Sequence, residues 1–181
     1  MTLRTFLFRG KGLIWSNIRP RPCCHPDTFQ NAPPMMNERI SSIMTINVVT
    51  VTPEHTLKDV REMLFDRHFH HLPVVEGPNK KLVGIITSWD LLKTEASVDD
   101  YSRIKVGEVM TRKVVTLHPN ELVGAAALIF LRHLFHGIPI VNDEHELVGL
   151  VTTHDVLKYL YYKEYPNDEF AQELEFKPRA D

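Results

Sequence analysis

The body of this chain is one unit written twice. Shifted by 66 residues, Ile43-Met44-Thr45 falls on Val109-Met110-Thr111, and Val48-Val49-Thr50 falls on Val114-Val115-Thr116. Pro53 then meets Pro119, His70 meets His136 and Pro73 meets Pro139. With one residue dropped from the Gly77–Lys80 turn the shift becomes 65, and Leu82-Val83-Gly84 meets Leu147-Val148-Gly149. Thr87 meets Thr152, Asp90 meets Asp155, and Leu92-Lys93 meets Leu157-Lys158. Residues 43–75 give 10 identities in 33 and residues 82–93 give 7 in 12, where average composition gives roughly three over the whole comparison. A period this long implies two copies of one supersecondary unit that share a core.

Each copy reads in the same order. An apolar β-branched run, Val48–Val51 or Val114–Leu117, ends near Pro53 or Pro119 and reads as a short strand. A helix follows, with Thr56 or Asn120 as its expected N-cap. In the first copy Leu57, Val60, Met63 and Leu64 form a one-sided apolar stripe. In the second copy Leu122 to Leu131 is apolar nearly all round, which predicts a helix buried between other elements. Two apolar runs come next, Leu72–Val75 with Leu82–Thr87 and Ile138–Val141 with Leu147–Thr152. They are separated by Pro78-Asn79-Lys80 and Asn142-Asp143-Glu144, as hairpin turns would be. A last helix is expected from Ser88 or Thr153. The fold class is therefore α/β (α+β), two β-α-β-β-α repeats packed about a pseudo-two-fold axis. Each repeat alone is too small to be stable by the usual surface-to-volume argument. The expected borders are 37–93 and 104–162, joined by a polar, acidic linker at 94–103 and followed by an acidic tail at 163–181.

Charge separates this body from what precedes it. Residues 1–36 hold five basic side chains and one acidic, leaving 16 basic and 22 acidic in residues 37–181. A body of that sign lacks the basic footprint needed for non-specific binding to nucleic acid or an anionic membrane. The longest uncharged apolar run, Leu122 to Leu131, is about half of what a membrane-spanning helix needs. Residues 1–36 have no sustained period and are broken by Arg19-Pro20-Arg21-Pro22 and Pro33-Pro34. They read as an unstructured leader or as a stretch upstream of a true start at Met35 or Met36; an organellar transit peptide is the alternative. Both cysteines, Cys23 and Cys24, lie in that segment beside His25, a set one ligand short of a metal site. A body free of cysteine fits a reducing compartment, so the expected location is cytoplasmic, or organellar if the leader is a transit peptide.

Two repeated motifs carry chemistry. Gly84 to Asp90 and Gly149 to Asp155 share Gly-apolar-apolar-Thr-x-x-Asp where a strand enters a helix. Thr-x-x-Asp is close to a capping box. The same geometry offers helix N–H groups to an anion and a carboxylate to ribose hydroxyls. His70-His71-Leu72-Pro73 and His136-Gly137-Ile138-Pro139 open the second strand of each copy. Their histidines suit a helix C-terminus, or a polar head reaching a phosphate. No Cys or carboxylate accompanies them at metal-ligand spacing.

Together these motifs resemble a tandem pair of cystathionine-β-synthase (CBS) domains, a Bateman module. Met-Thr, Val-Val-Thr-Val/Leu-x-Pro, His-x-Leu/Ile-Pro-Val/Ile-Val and Gly-x-x-Thr-x-x-Asp recur in both copies in that family's order, over roughly Asn37 to Tyr162. The resemblance implies two clefts between paired sheets that take an adenosine-containing ligand such as AMP, ADP, ATP or S-adenosylmethionine. It implies that Thr87 and Asp90 in one cleft, and Thr152 and Asp155 in the other, hold ribose and the adjacent phosphate. Val49 and Ile85, with Val115 and Leu150, would sandwich adenine. The segments His70-His71-Leu72 and His136-Gly137-Ile138 would supply backbone bonds to the base, with His70 or His136 reaching phosphate. His71 stands where the second copy has Gly137, so the first cleft is expected to be narrower.

Catalysis is not expected. The sequence has no nucleophile elbow, no P-loop, no His-Glu-x-x-His and no cysteine in its body. The expected function is a stand-alone regulatory module that senses an adenine nucleotide and signals to a partner. The resemblance also implies a homodimer formed through helices, with Leu157–Tyr162 as the candidate surface. The rival is a ligand-free structural or dimerisation module.

Overall fold

The computed structural model describes residues 36–66, 69–94 and 96–168, within the unit that runs from Pro34 onward. The leader and the residues after 168 lie outside the described residues. Two hairpins form the frame. β1 (His71–Glu76) pairs antiparallel with β2 (Lys81–Thr87), and β3 (Gly137–Val141) pairs with β4 (Leu147–Thr152). Both hairpins have a register shift at equivalent places, Val74/Val75 and Ile140/Val141. Their tips pair across the pseudo-two-fold: Leu82 N–H donates to His145 O at 3.1 Å and Leu147 N–H to Lys80 O at 3.0 Å. Val75, Leu82 and Val141 are buried together there against Leu147.

The expected first strand of each copy is not a strand. Val48–Val51 and Val114–Leu117 each contribute a single parallel bridge, Val51 to Val74 and Leu117 to Ile140. The reason is visible in the bonding. Val51 N–H donates to Pro73 O at 3.1 Å and Val75 N–H donates to Val51 O at 2.9 Å. The next rung of a parallel ladder would run from the N–H of residue 73 to Val49 O, and proline has no N–H. Pro139 ends the equivalent ladder at Leu117, whose N–H it accepts at 3.3 Å.

The helices follow the capping chemistry where it exists. α1 (Leu57–Asp66) buries Leu57, Val60 and Leu64. Thr56 is its cap, with Thr56 N–H donating to Asp59 Oδ2 at 2.8 Å and Asp59 N–H to Thr56 Oγ1 at 3.3 Å. Short α2 (Ser88–Lys93) follows β2 directly, a 3₁₀ turn at Val98–Ser102 comes next, and α3 is the single turn Val106–Val109. α4 (Val123–Arg132) departs from expectation twice. Its cap is not Asn120: Val123 N–H donates to Glu38 O at 2.9 Å and Gly124 N–H to Met36 O at 3.3 Å, so a distant segment satisfies its first donors. Nor is it buried all round, since only Val123, Ala126 and Ala127 are buried while Leu128 and Leu131 face outward. α5 (Thr153–Glu164) buries Val156 and Tyr159 and carries into residues expected to be tail.

The cores do not follow the repeat borders. Ile40 and Ile43, from the segment leading into the first copy, are buried with Leu117, Val123, Ile138, Val151 and Tyr159 of the second. Val106 and Met110, leading into the second copy, are buried with Val51, Leu57, Leu72 and Ile86 of the first. The exchange is symmetric down to the backbone. Thr45 and Leu150 exchange N–H···O bonds at 2.9 and 3.0 Å, as do Ile85 and Thr111 at 3.0 and 2.9 Å. Gly84 and Gly149 make this approach sterically feasible. A Cβ on Gly84 would stand 2.7 Å from Met110 Sδ, and one on Gly149 would stand 2.6 Å from Met44 Sδ. The repeated Met-Thr and the repeated glycine are thus two halves of one contact.

Candidate functional site

Thr87 and Asp90 sit where β2 turns into α2. The Thr87 backbone N–H and Oγ1–H both donate to Asp90 Oδ2, at 2.8 and 2.7 Å, and Asp90 N–H returns to Thr87 Oγ1 at 3.3 Å. Thr152 and Asp155 repeat this at the start of α5, at 2.7, 2.6 and 3.3 Å. Each is a complete capping box. Two of the first three amides of α2 are already satisfied, since Ser88 N–H donates to His70 O at 3.2 Å. The helix terminus is therefore mostly closed to an anion, and the positive charge around the site comes from side chains instead.

A cavity of about 750 Å³ opens beside this box, within the usual range for small-molecule sites. From the first copy it is lined by His70, His71, Ile85, Thr87, Trp89, Asp90 and Lys93; from the second by Thr111, Lys113, Val114, Val115, Phe135, His136 and Gly137. Ile85 and Val115 supply apolar wall from different repeats, and Val115 is exposed. The sequence-derived residues thus divide. His70, His71, Ile85, Thr87, Asp90, Val115, His136 and Gly137 line one cavity. Val49, Leu150, Thr152 and Asp155 do not line it and occupy the positions related to it by the repeat. Leu72 and Ile138 are fully buried in the two cores, which leaves them only backbone to offer a ligand.

The bulk of His71 is met by the small residue at the equivalent position of the other copy. Its ring lies over Gly137, where a Cβ would meet His71 Cγ at 3.1 Å. The large residue of one copy is accommodated by the small residue of the other, and both reach the cavity. The ring lies 6.5 Å from those of His70 and His136, centre to centre. Burial, reinforced by the like charges of His70 and His136, pushes its pKa down to about 4 against an opposing pull from Asp90. At neutral pH it is an uncharged imidazole. No group of three His, Cys, Asp or Glu among the described residues is arranged to hold a metal ion.

Sequence reading missed Trp89, Lys93, Thr111 and Lys113. Lys93 Nζ stands 5.7 Å from the Trp89 ring centre, and both residues line the cavity. Repetition did mark two of them, as Lys93 matches Lys158 and Thr111 matches Thr45. What local pattern could not show is that the 111–115 segment crosses to the first copy.

The CBS domain family model matches residues 40–97 and again 106–162. The chain belongs to the CBS domain family. A similar protein is the L-aspartate semialdehyde sulfurtransferase of Methanocaldococcus jannaschii, 30% identical over 159 residues, covering 86% of this chain and 29% of that protein. Another is inosine-5′-monophosphate dehydrogenase of Bifidobacterium longum, 36% identical over 133 residues, covering 73% and 24%. The chain thus spans less than a third of either relative. Among solved structures, the CBS domain pair of protein MJ0100 in complex with 5′-methylthioadenosine and S-adenosyl-L-methionine is 30% identical with a TM-score of 0.61, covering 70% of this chain and 98% of that one. This chain is a tandem CBS pair of α+β fold. No described helix is long and apolar enough to cross a membrane.

Proposed function

We propose that this CBS pair is a non-catalytic regulatory module that binds an adenosine-containing ligand, of the AMP, ADP, ATP or S-adenosylmethionine type, and signals to a partner protein. One observation carries the reading: a cavity of ligand size that joins the Thr87–Asp90 box of one repeat to the Val115 and His136 wall of the other. Ile85 and Val115 would hold the planar base, and Asp90 Oδ1 would accept from ribose hydroxyls while Oδ2 stays in the cap. A ligand there touches both repeats at once, so occupancy changes how firmly they are held together, and that change is the signal. The adenosine ligands in the MJ0100 pair support this ligand class. Thr152 and Asp155, with Val49 and Leu150, would serve a second cleft.

The module is also proposed to form a homodimer through its helices. Phe65 and Leu131 occupy equivalent positions in α1 and α4, as do Leu92 and Leu157 in α2 and α5, and all four are exposed by more than half. Light scattering should then report a dimer for the full chain, and a monomer for Leu131→Lys with Leu157→Lys. The ligand reading is tested by thermal unfolding of the full chain with millimolar AMP, ADP, ATP and S-adenosylmethionine. A hundredfold excess over Kd adds about 2.7 kcal/mol, a rise of several degrees at this size. Asp90→Ala should abolish the rise for the described cavity. A midpoint unmoved by every ligand would leave the structural dimerisation module as the better account.

A further inference from the structure

We propose that the cavity recognises its adenosine ligand by a phosphate group in preference to a sulfonium, with Lys93, Lys113, His70, His71 and His136 as the phosphate-facing set. The proposal rests on the adenosine reading above and narrows it. The balance of charge around the lining favours an anion. Lys93 comes from α2 and Lys113 from the segment that crosses over from the second copy. The three imidazoles come from the starts of β1 and β3. Among the described residues of the lining one carboxylate stands against these, Asp90, whose Oδ2 already accepts two hydrogen bonds from Thr87. Two ammoniums against one partly committed carboxylate repel a cationic sulfonium and attract a phosphate. Lys113 is particular to this cavity, because the repeat places Asn47 where it stands, whereas Lys93 has its counterpart in Lys158.

A proton follows from the same arrangement. His71 is held neutral by burial and by its flanking imidazoles, with Asp90 the only opposing charge among the described residues of the lining. A phosphate dianion entering beside it would reverse that balance, so His71 takes up a proton as the ligand binds. A neutral or cationic adenosine ligand would bring no such change.

Isothermal titration of the full chain at pH 7.0 tests this, where a phosphate monoester is already mostly dianionic. The ligands are AMP, 5′-methylthioadenosine and S-adenosylmethionine, each in two buffers of different ionisation enthalpy. AMP should bind at least tenfold more tightly than 5′-methylthioadenosine, with S-adenosylmethionine weakest. Uptake of about half a proton or more should accompany AMP alone and vanish in His71→Gln. Exposed Lys113, replaced in Lys113→Gln, gives a variant whose folding is not in question, and it should weaken AMP more than 5′-methylthioadenosine. Equal binding of all three ligands, or AMP binding without buffer-dependent heat, overturns the proposal while the adenosine reading stands. Binding of none of them overturns both.

Discussion

Replacing Gly84 with alanine puts a methyl group where the other repeat's leading segment already lies. The new Cβ would stand 2.7 Å from Met110 Sδ, 3.2 Å from Met110 Cγ and 3.0 Å from Thr111 O. Met110 is buried in the core, so its thioether can leave only by repacking its neighbours, and the carbonyl is held because Thr111 O accepts Ile85 N–H at 3.0 Å. Overpacking of this kind costs about 1–3 kcal/mol, and the two contacts together argue for about 2 kcal/mol or more. Met110→Ala empties a buried site and should cost about 3 kcal/mol. In the double variant the sulfur clash is gone while the carbonyl contact remains. The pair should therefore cost about 1–2 kcal/mol less than the two singles together. Urea unfolding of the full chain and the three variants completes the cycle. Additivity within about 0.5 kcal/mol, the behaviour of independent sites, would refute the claim that these two motifs form one inter-repeat contact.

Other consequences can be measured on the same protein. His71 titrates near 6.5 when unfolded and near 4 when folded, so the unfolded chain binds the extra proton. Its contribution is complete above about pH 6.5 and is lost as pH falls toward 4, about 2 kcal/mol after discounting for partial exposure; His71→Gln should flatten that part of the stability profile. Lys80 and His145 occupy equivalent left-handed positions, at φ 54° and 64°. Glycine there should gain about 0.5–1 kcal/mol, relief of strain less the added chain entropy, read as a higher Tm. Buried Tyr101 donates its hydroxyl to Leu91 O at 3.0 Å. Leu91 O also accepts from Thr94 N–H at 3.3 Å, so Tyr101→Phe orphans no group and should cost only about 0.5–1.5 kcal/mol in urea unfolding.

What was legible in the sequence was local. The hairpins announced themselves through apolar runs around polar turns, and the capping boxes of α2 and α5 through their repeated Thr-x-x-Asp, because each is made within a few residues. The leading strands failed because their pairing depends on Pro73 and Pro139, some twenty residues away, which end the ladder after one bridge. The start of α4 failed for the same kind of reason, its donors being met by Met36 and Glu38. The apolar run of Leu122 to Leu131 said that a helix forms but not which face would find a neighbour. Candidate site residues could be named from repeated motifs, but their grouping could not. Ile85 lines a cavity with Val115 because the 111–115 segment is exchanged between copies, and an exchange leaves no period in the chain.

The central claim is that one ligand site is built from both repeats. Amide chemical shifts followed while AMP is added to the full, isotope-labelled chain test it most directly. The account predicts saturable shifts at Thr87 and Asp90 of the first copy together with Val115 and Gly137 of the second, all with one Kd. Shifts confined to one repeat, or none at millimolar AMP, would contradict it.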